Sequence, residues 1–498
     1  MSTEPSRQLK KSAVGTSGIV FFVVAAAAPL GATLGAGPVV FAANGLGAPG
    51  MYLVASVVLL LFAIGYAAMS RHVTSAGGFT AYISLGLGNR TGQASAGVAL
   101  FAYNCMLLGL VGQFGVFARD LVSHWGWDVS WQTLAVVALA LVGILGYLEI
   151  NLSAKVLGVL MLAEVLILLV FDAVVIVRGG ADGLDGSAFV PGNVFSGAPG
   201  IALLFAFTCF LGFEATTIYG EEARDPRRTV PRATYVAVVL IGLFYTVTTW
   251  AIGLAHGSDV RTRASEDPVN FVTGVNTAFV GQFATDLMQV LVVTSVFAVL
   301  LAFHNTLTRY MFSLGRGGLL SVQLARTHHR FQSPHRASVV QSVITLIILA
   351  AFMAAGVDPF EQLFAWFVGL GTLAVLVLQA VVTVAVIAFF RRRGGGPLWQ
   401  TLVAPLLGTL GLSVGIVLAI INFDVLIGIS SGMAFLLPWL IPGAALLTLA
   451  AASVASLRGR TVDLAASATP AITTAPETAG ACSTEEGNLN DRVKQPRC

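Results

Sequence analysis

Glu164 and Asp172 stand inside an apolar run, AEVLILLVFD, with no Lys or Arg between them, and Glu214 interrupts a second such run, FLGFEATT. An Asp in hydrocarbon costs at least about 2.5–3.5 kcal/mol on insertion scales, so such groups face the interior of a helix bundle. Their chemistry there is to bind a proton, to pair with a cation, or to sit protonated and hydrogen-bonded. Glu164 lies ten residues past the start of its run, about 15 Å at 1.5 Å per residue, which puts it near mid-membrane, with Asp172 nearer the outside. His304 also falls within an apolar run, where a lone His serves as packing or as a proton carrier.

Two interrupted helices must position these groups. From Gly200 to Ala233 an apolar stretch is broken at Cys209, Gly212 and Glu214 and then turns into the charged run Glu221 to Arg232. From Gly15 to Phe41 an apolar stretch is broken by Pro29 and by Gly18, Gly31, Gly35 and Gly37. In hydrocarbon every backbone N–H and C=O needs a partner, so a broken helix is tolerated only where it is buried in protein or lines a cavity. Paired broken segments in corresponding halves of a chain point to a transporter's substrate site.

The composition agrees. Of 498 residues 56% are hydrophobic and 10% charged, with a mean hydropathy of +0.85, whereas charged residues make up about a quarter of soluble domains. Runs of about 20 apolar residues place about twelve spans, at 15–42, 48–69, 93–122, 130–148, 152–177, 199–219, 234–255, 284–313, 337–356, 362–390, 399–422 and 432–456. The fold class expected is an all-α polytopic membrane protein. Alternate loops hold most of the 27 basic residues, including Arg71, Arg90, Lys155, Arg224 to Arg232, Arg316 to Arg336, Arg391 to Arg393, Arg458 and Arg460. By the positive-inside rule both termini are cytoplasmic, in the plasma membrane. The net charge of +3 follows from this topology and implies no nucleic-acid partner. Residues 1–14 read as a cytoplasmic segment without a cleavable signal, and 457–498 as a disordered cytoplasmic tail.

Other candidates are weaker. Cys105 and Cys209 are intramembrane and Cys482 and Cys498 fall in the tail, a spacing that suits neither a disulfide framework nor a metal. The loop histidines His328, His329 and His335 are solvated, and no metal or cofactor is expected. Between spans two and three, Phe79 and Tyr82 share a helical face, and we read 70–92 as containing a short amphipathic helix at the membrane interface. No phosphate-binding loop of the form GxxxxGK followed by Ser or Thr occurs, which argues against a primary pump. An integral membrane enzyme would need His, Asp or Cys clustered at one place, and these are scattered.

The segment Gly212-Phe213-Glu214, followed by Gly220-Glu221-Glu222-Ala223-Arg224-Asp225-Pro226-Arg227-Arg228 and Pro231, resembles the sixth helix and following loop of the amino acid, polyamine and organocation (APC) superfamily of permeases. Ser75-Ala76-Gly77-Gly78-Phe79 to Tyr82, Thr308-Arg309 to Gly315-Arg316 and Gly371-Thr372-Leu373 support it, and the resemblance covers about residues 10–456. It implies a LeuT-type core of 15–390, with inverted repeats at about 15–178 and 199–390, and helices eleven and twelve peripheral at 391–456. The freed N–H groups at the start of a half-helix would attract a carboxylate and the freed C=O groups at the end of one an ammonium; an α-amino acid presents both.

Carried onto this chain, the binding backbone is Ala28, Pro29, Leu30 and Gly31 in helix one and Phe207, Thr208, Cys209, Phe210 and Gly212 in helix six. Phe207 and Phe210 would be lids or packing, and Tyr103, Asn104 and Phe367 are candidate side-chain contacts. Several members of the family carry a Lys in helix five where sodium binds in sodium-coupled relatives; here that place holds Glu164, which either takes up a transported proton or pairs with a cationic substrate. The expected function is secondary transport of a small amino acid by alternating access, as a proton symporter. An amine or polyamine carrier, a transporter-like nutrient sensor and a channel are the alternatives, and the oligomeric state stays open.

Overall fold

The computed structural model describes residues 15–73, 78–148, 154–214, 216, 223, 225–328, 333–428, 436–457 and 462. The readings on residues 1–14, on Ser75 to Gly77, on Gly220 to Glu222, on Arg224, on His329 and on nearly all of the tail lie outside them. The described residues are helical and include no β-strand.

All twelve expected spans contain helix. The first is α1 (Thr16–Ala26) and α2 (Pro29–Asn44), then α3 (Ala48–Ser70). A short α4 (Gly78–Leu87) precedes α5 (Asn89–His124), α6 (Trp131–Tyr147) and α7 (Ala154–Arg178). The sixth span opens with α8 (Pro199–Thr208), and α9 (Pro226–His256) follows. The short connecting helix α10 (Phe271–Phe279) leads into α11 (Gln282–Arg316), α12 (His335–Ala354) and α13 (Ala365–Arg393). Two last helices, α14 (Ala404–Ile421) and α15 (Leu440–Leu457), complete the chain. Pro29, Pro49, Pro199 and Pro405 each sit in a first helical turn, where the missing N–H had no intrahelical partner to lose.

Burial differs along the chain: in α5 and α13, 67% of the most apolar stretch is buried inside the protein, against 39% in α7, 33% in α14, 28% in α12 and 17% in α15. The apolar remainder of these helices is exposed on the outside of the bundle, as on Leu406, Leu410, Leu446 and Leu447. The LeuT-type fold inferred from the sequence is the fold found, with the two broken helices packed on one another at its centre through α2 and α8. One face of the bundle carries Arg71, Arg90, Arg316 and Arg391 to Arg393 and is called here the basic face.

The segment read as an interfacial helix differs. Helix α4 forms, but it is buried, packed on α5 and α13, with Phe79 and Tyr82 turned inward against Tyr66 at ring distances of 5.8 and 5.0 Å. Its amphipathic face found an aromatic partner in α3, a contact that spacing within the segment cannot foretell. The crossing depends on Gly86, where a Cβ would strike the Ala385 backbone carbonyl of α13; small residues let membrane helices approach this closely. Gly86→Leu is therefore expected to cost about 1–3 kcal/mol or more through overpacking, read as a lowered unfolding temperature in detergent.

Candidate substrate site

The break in the first span is a single strained residue. Ala28 adopts φ 45° and ψ 70°, the one non-glycine in the left-handed region among the described residues. For an L-residue with a Cβ this costs about 1–2 kcal/mol, and three neighbouring helices hold it. Tyr245 of α9 donates its hydroxyl to the Ala27 carbonyl at 3.2 Å. Gln113 of α5, itself buried, donates its amide to the Gly31 carbonyl at 2.8 Å. On α7, Glu164 accepts from Ser295 of α11 at 2.8 Å and from the Leu30 N–H at a longer 3.5 Å. The carboxylate thus lies at the N-terminus of α2, where the unsatisfied N–H groups and the helix dipole favour negative charge.

The break in the sixth span is a short turn after α8. Cys209, Phe210 and Leu211 make single-turn bonds to the carbonyls three residues back, and Gly212 takes φ 109°, a conformation that suits glycine. The Glu214 carboxylate folds back to accept from the Gly212 N–H at 2.8 Å, capping the freed backbone. Its own carbonyl accepts from Tyr66 at 3.2 Å.

Between the two breaks lies a cavity of about 60 Å³, small beside the roughly 300–1,000 Å³ of ligand pockets. Its walls include Ala28, Gly31 and Ala36 of the first span, Met106 and Gln113 of α5, Thr208 at the end of α8, Val296 and Phe303 of α11, and Phe364 with Val368 of the tenth span. Among the described residues no charged side chain lines it. The Thr208 hydroxyl is 2.7 Å from that of Thr372, which joins α8 to α13. Toward the face opposite the basic one a larger vestibule of about 460 Å³ opens past exposed Ser265 and Glu361. Successive residues of α2 run from one space to the other, Ala36 lining the cavity and Pro38, Val39 and Ala42 the vestibule.

Phe364 lies between them, stacked on Phe360 of the vestibule at 5.1 Å and 6.3 Å from Phe205. It closes a π-helical turn, Pro359–Phe364, a local geometry frequent at functional sites. On the basic side Phe62, Tyr66, Phe79, Tyr82 and Phe213 form a buried aromatic layer, with ring distances of 5.0 to 6.3 Å. The centre is contracted, the side opposite the basic face opens into the vestibule, and among the described residues the aromatic layer lies across the basic side.

Of the residues singled out in the sequence, Ala28, Gly31 and Thr208 line the cavity. Pro29 and Leu30 belong to the same first turn of α2 without lining it. Tyr103 stands one layer behind, against Phe303 at 5.9 Å. Phe207 packs instead toward Gly415 of α14, Phe210 against Tyr245, and Cys209 against the Tyr52 hydroxyl. Asn104 is engaged with Gln341 of α12, and Phe367 packs on Phe352. His304 is fully buried and bonded to Ser338 at 3.0 Å, which suits packing. His328 and His335 sit 5.3 Å apart beside Tyr147, and among the described residues no three metal-ligating side chains gather.

Gln113, Met106, Ser295, Phe303 and Phe364 were not picked out from the sequence. Gln113 was within reach, as a polar side chain between Gly112 and Gly115 in an apolar run; Phe364 is one of 31 phenylalanines and carries no local signal.

Twelve spans in a LeuT-type fold, broken at the centre of the bundle beside a small apolar cavity, define a membrane transporter. The chain belongs to the amino acid permease family, whose description matches residues 18–435. It is 25% identical over 390 residues to the branched-chain amino acid permease BcaP of Bacillus subtilis (strain 168), covering 71% of this chain and 78% of that one. It is 29% identical over 201 residues to the L-methionine/branched-chain amino acid exporter YjeH of Escherichia coli (strain K12), covering 38% of this chain and 44% of that one. The fold matches the crystal structure of the Eremococcus coleocola manganese transporter with a TM-score of 0.57 at 11% identity, over 90% of this chain and 97% of that one. The protein is accordingly a multi-pass membrane transporter of amino acids or amines, not an enzyme.

Proposed function

We propose that this protein is a plasma-membrane symporter that moves neutral, apolar amino acids with protons by alternating access, both termini being cytoplasmic. The observation that carries the reading is the position of Glu164, one carboxylate tied at once to the N-terminus of α2 and to Ser295 of α11, next to the cavity-lining Gly31 and Val296. As a carboxylate it accepts both bonds and holds the break in the arrangement described. Protonation removes charge from a helix N-terminus and weakens that hold, so proton binding and rearrangement of the α2 break are linked.

With Glu164 protonated, the start of α2 would receive the substrate carboxylate, and the carbonyls ending α8 its ammonium group. Met106, Val296, Phe303 and Val368 offer an apolar surface for an aliphatic or thioether side chain. The names of the relatives, branched-chain and methionine carriers, agree with that chemistry. The absence of a charged side chain from the lining among the described residues weighs against an amine or polyamine substrate. Because about 60 Å³ falls well short of the roughly 300–1,000 Å³ of ligand pockets, binding would require Phe364 to swing toward the vestibule, and release on the basic side would require the aromatic layer to part.

The test is counterflow in proteoliposomes preloaded with leucine, methionine, glutamate, lysine or a polyamine, against labelled leucine, with and without an inward proton gradient. Leucine and methionine should accelerate entry, and the gradient should drive accumulation. Acceleration by polyamines alone would make this an amine carrier, and no counterflow with any of them would favour a sensor or a channel.

A further inference from the structure

The second acid of α7 has no place in the account above. Asp172 is 3% exposed, and it shares one buried stripe with Glu164, Leu168, Phe171 and Val175. The two acids are eight residues apart, about 12 Å along the axis, with Asp172 the farther from the basic face. One of its oxygens accepts from the Thr248 hydroxyl of α9 at 2.7 Å. The other is buried and has no hydrogen-bond partner. No Lys, Arg or His forms an ion pair with it among the described residues. Such a carboxyl is expensive to keep in the membrane, and a hydroxyl bond on one oxygen does not offset a buried charge.

The surroundings single out the neighbouring groups. Thr248 lies one turn beyond Tyr245 on α9, and Tyr245 is the residue that holds the Ala27 carbonyl at the break. Of the other elements packed on α7, α1, α2 and α10 contain no ionisable residue. On α11 the ionisable groups are Asp286, paired with His124 at the rim, and His304, Arg309, Tyr310 and Arg316 toward the basic end. Along α7 itself Arg178 ends the helix, and on α9 His256 is bonded to the Phe271 carbonyl, two turns past Thr248. The face between α7 and α9 therefore offers a carboxyl, two hydroxyls and a second carboxyl, running from the outer half of the bundle to its centre.

We propose that Asp172 is the outer proton-binding station that loads Glu164, an inference that rests on the proton-coupled reading of Glu164. A proton from the outer solution converts the Asp172 carboxylate to the acid. It is handed inward past the Thr248 and Tyr245 hydroxyls to the Glu164 carboxylate, and Asp172 returns to the anion. The residue touches neither the substrate nor the break, so it acts on the rate at which protons reach Glu164.

The experiment compares gradient-driven uptake with counterflow, both of labelled leucine, in proteoliposomes of the wild-type protein and of Asp172→Asn, Asp172→Glu, Thr248→Val and Glu164→Gln. Asp172→Asn should lower the ratio of gradient-driven uptake to counterflow by about tenfold, within the 5–150-fold span of typical coupling between sites. Asp172→Glu should restore most of it, and Thr248→Val should lower it several-fold. The relay is overturned by an unchanged ratio in Asp172→Asn while Glu164→Gln loses coupling. It is equally overturned where Asp172→Asn does not fold and Thr248→Val behaves as wild type. An unchanged ratio in Glu164→Gln would instead remove the proton-coupled reading on which the relay stands.

Discussion

Glu164→Gln is expected to abolish accumulation of leucine driven by an inward proton gradient. The amide preserves the size of the side chain and an oxygen that can accept from Ser295, so the packing of α7 on α11 is retained. What disappears is the charge at the N-terminus of α2, together with the proton that would neutralise it. With typical coupling free energies of about 1–3 kcal/mol, net gradient-driven uptake should fall about 5–150-fold, far more than exchange of leucine across the membrane. Its dependence on pH should flatten in the same variant, since the amide does not titrate. Uptake that kept both its full rate and its pH dependence would show that the carboxylate serves only to hold the α2 break. The measurement is initial-rate uptake into proteoliposomes over a series of external pH values, with unfolding temperature as the control for folding.

Gly35→Leu should have the second large effect, and by a different route. A Cβ at Gly35 would overlap the Gln113 amide and come within 3.0 Å of Phe364. The substitution therefore displaces two parts of the site together, the amide that holds the Gly31 carbonyl and the ring between cavity and vestibule. Overpacking of this kind costs about 1–3 kcal/mol, and a buried carbonyl left without its donor costs about 1–3 kcal/mol more. Counterflow and gradient-driven uptake should both fall by about two orders of magnitude, as 1.4 kcal/mol is about tenfold, which separates this variant from Glu164→Gln. Gln113→Ala should lose less, because it removes the hydrogen bond without adding bulk. Near-normal counterflow in Gly35→Leu would mean that the path between vestibule and centre does not pass along α2.

What could be read from the amino acids alone was set by short-range rules. A residue's hydrophobicity decides whether a stretch of about 20 can span the membrane, so the helix found within each of the twelve expected spans was legible. The need of backbone groups for partners in hydrocarbon made the two breaks visible at Pro29 and Gly212, and the cost of a carboxylate there singled out Glu164. The resemblance of the Gly212-Phe213-Glu214 segment supplied the architecture. Contacts across the bundle were not legible, because the direction of a side chain around a helix is decided by the partner helix. Phe207 and Phe210, beside a break, turned to α14 and α9 rather than into the cavity. Phe364, more than 150 residues from that break in the chain, became the partition between the two spaces, and Gln113 the support of a carbonyl 82 positions away. The helix carrying Phe79 and Tyr82 was foreseen, but its burial was decided by Tyr66 on another helix. Hydrophobicity and backbone hydrogen bonding act within a segment and are written into it; packing acts between segments, and only the assembled bundle decided which of many equivalent apolar residues would face the central cavity.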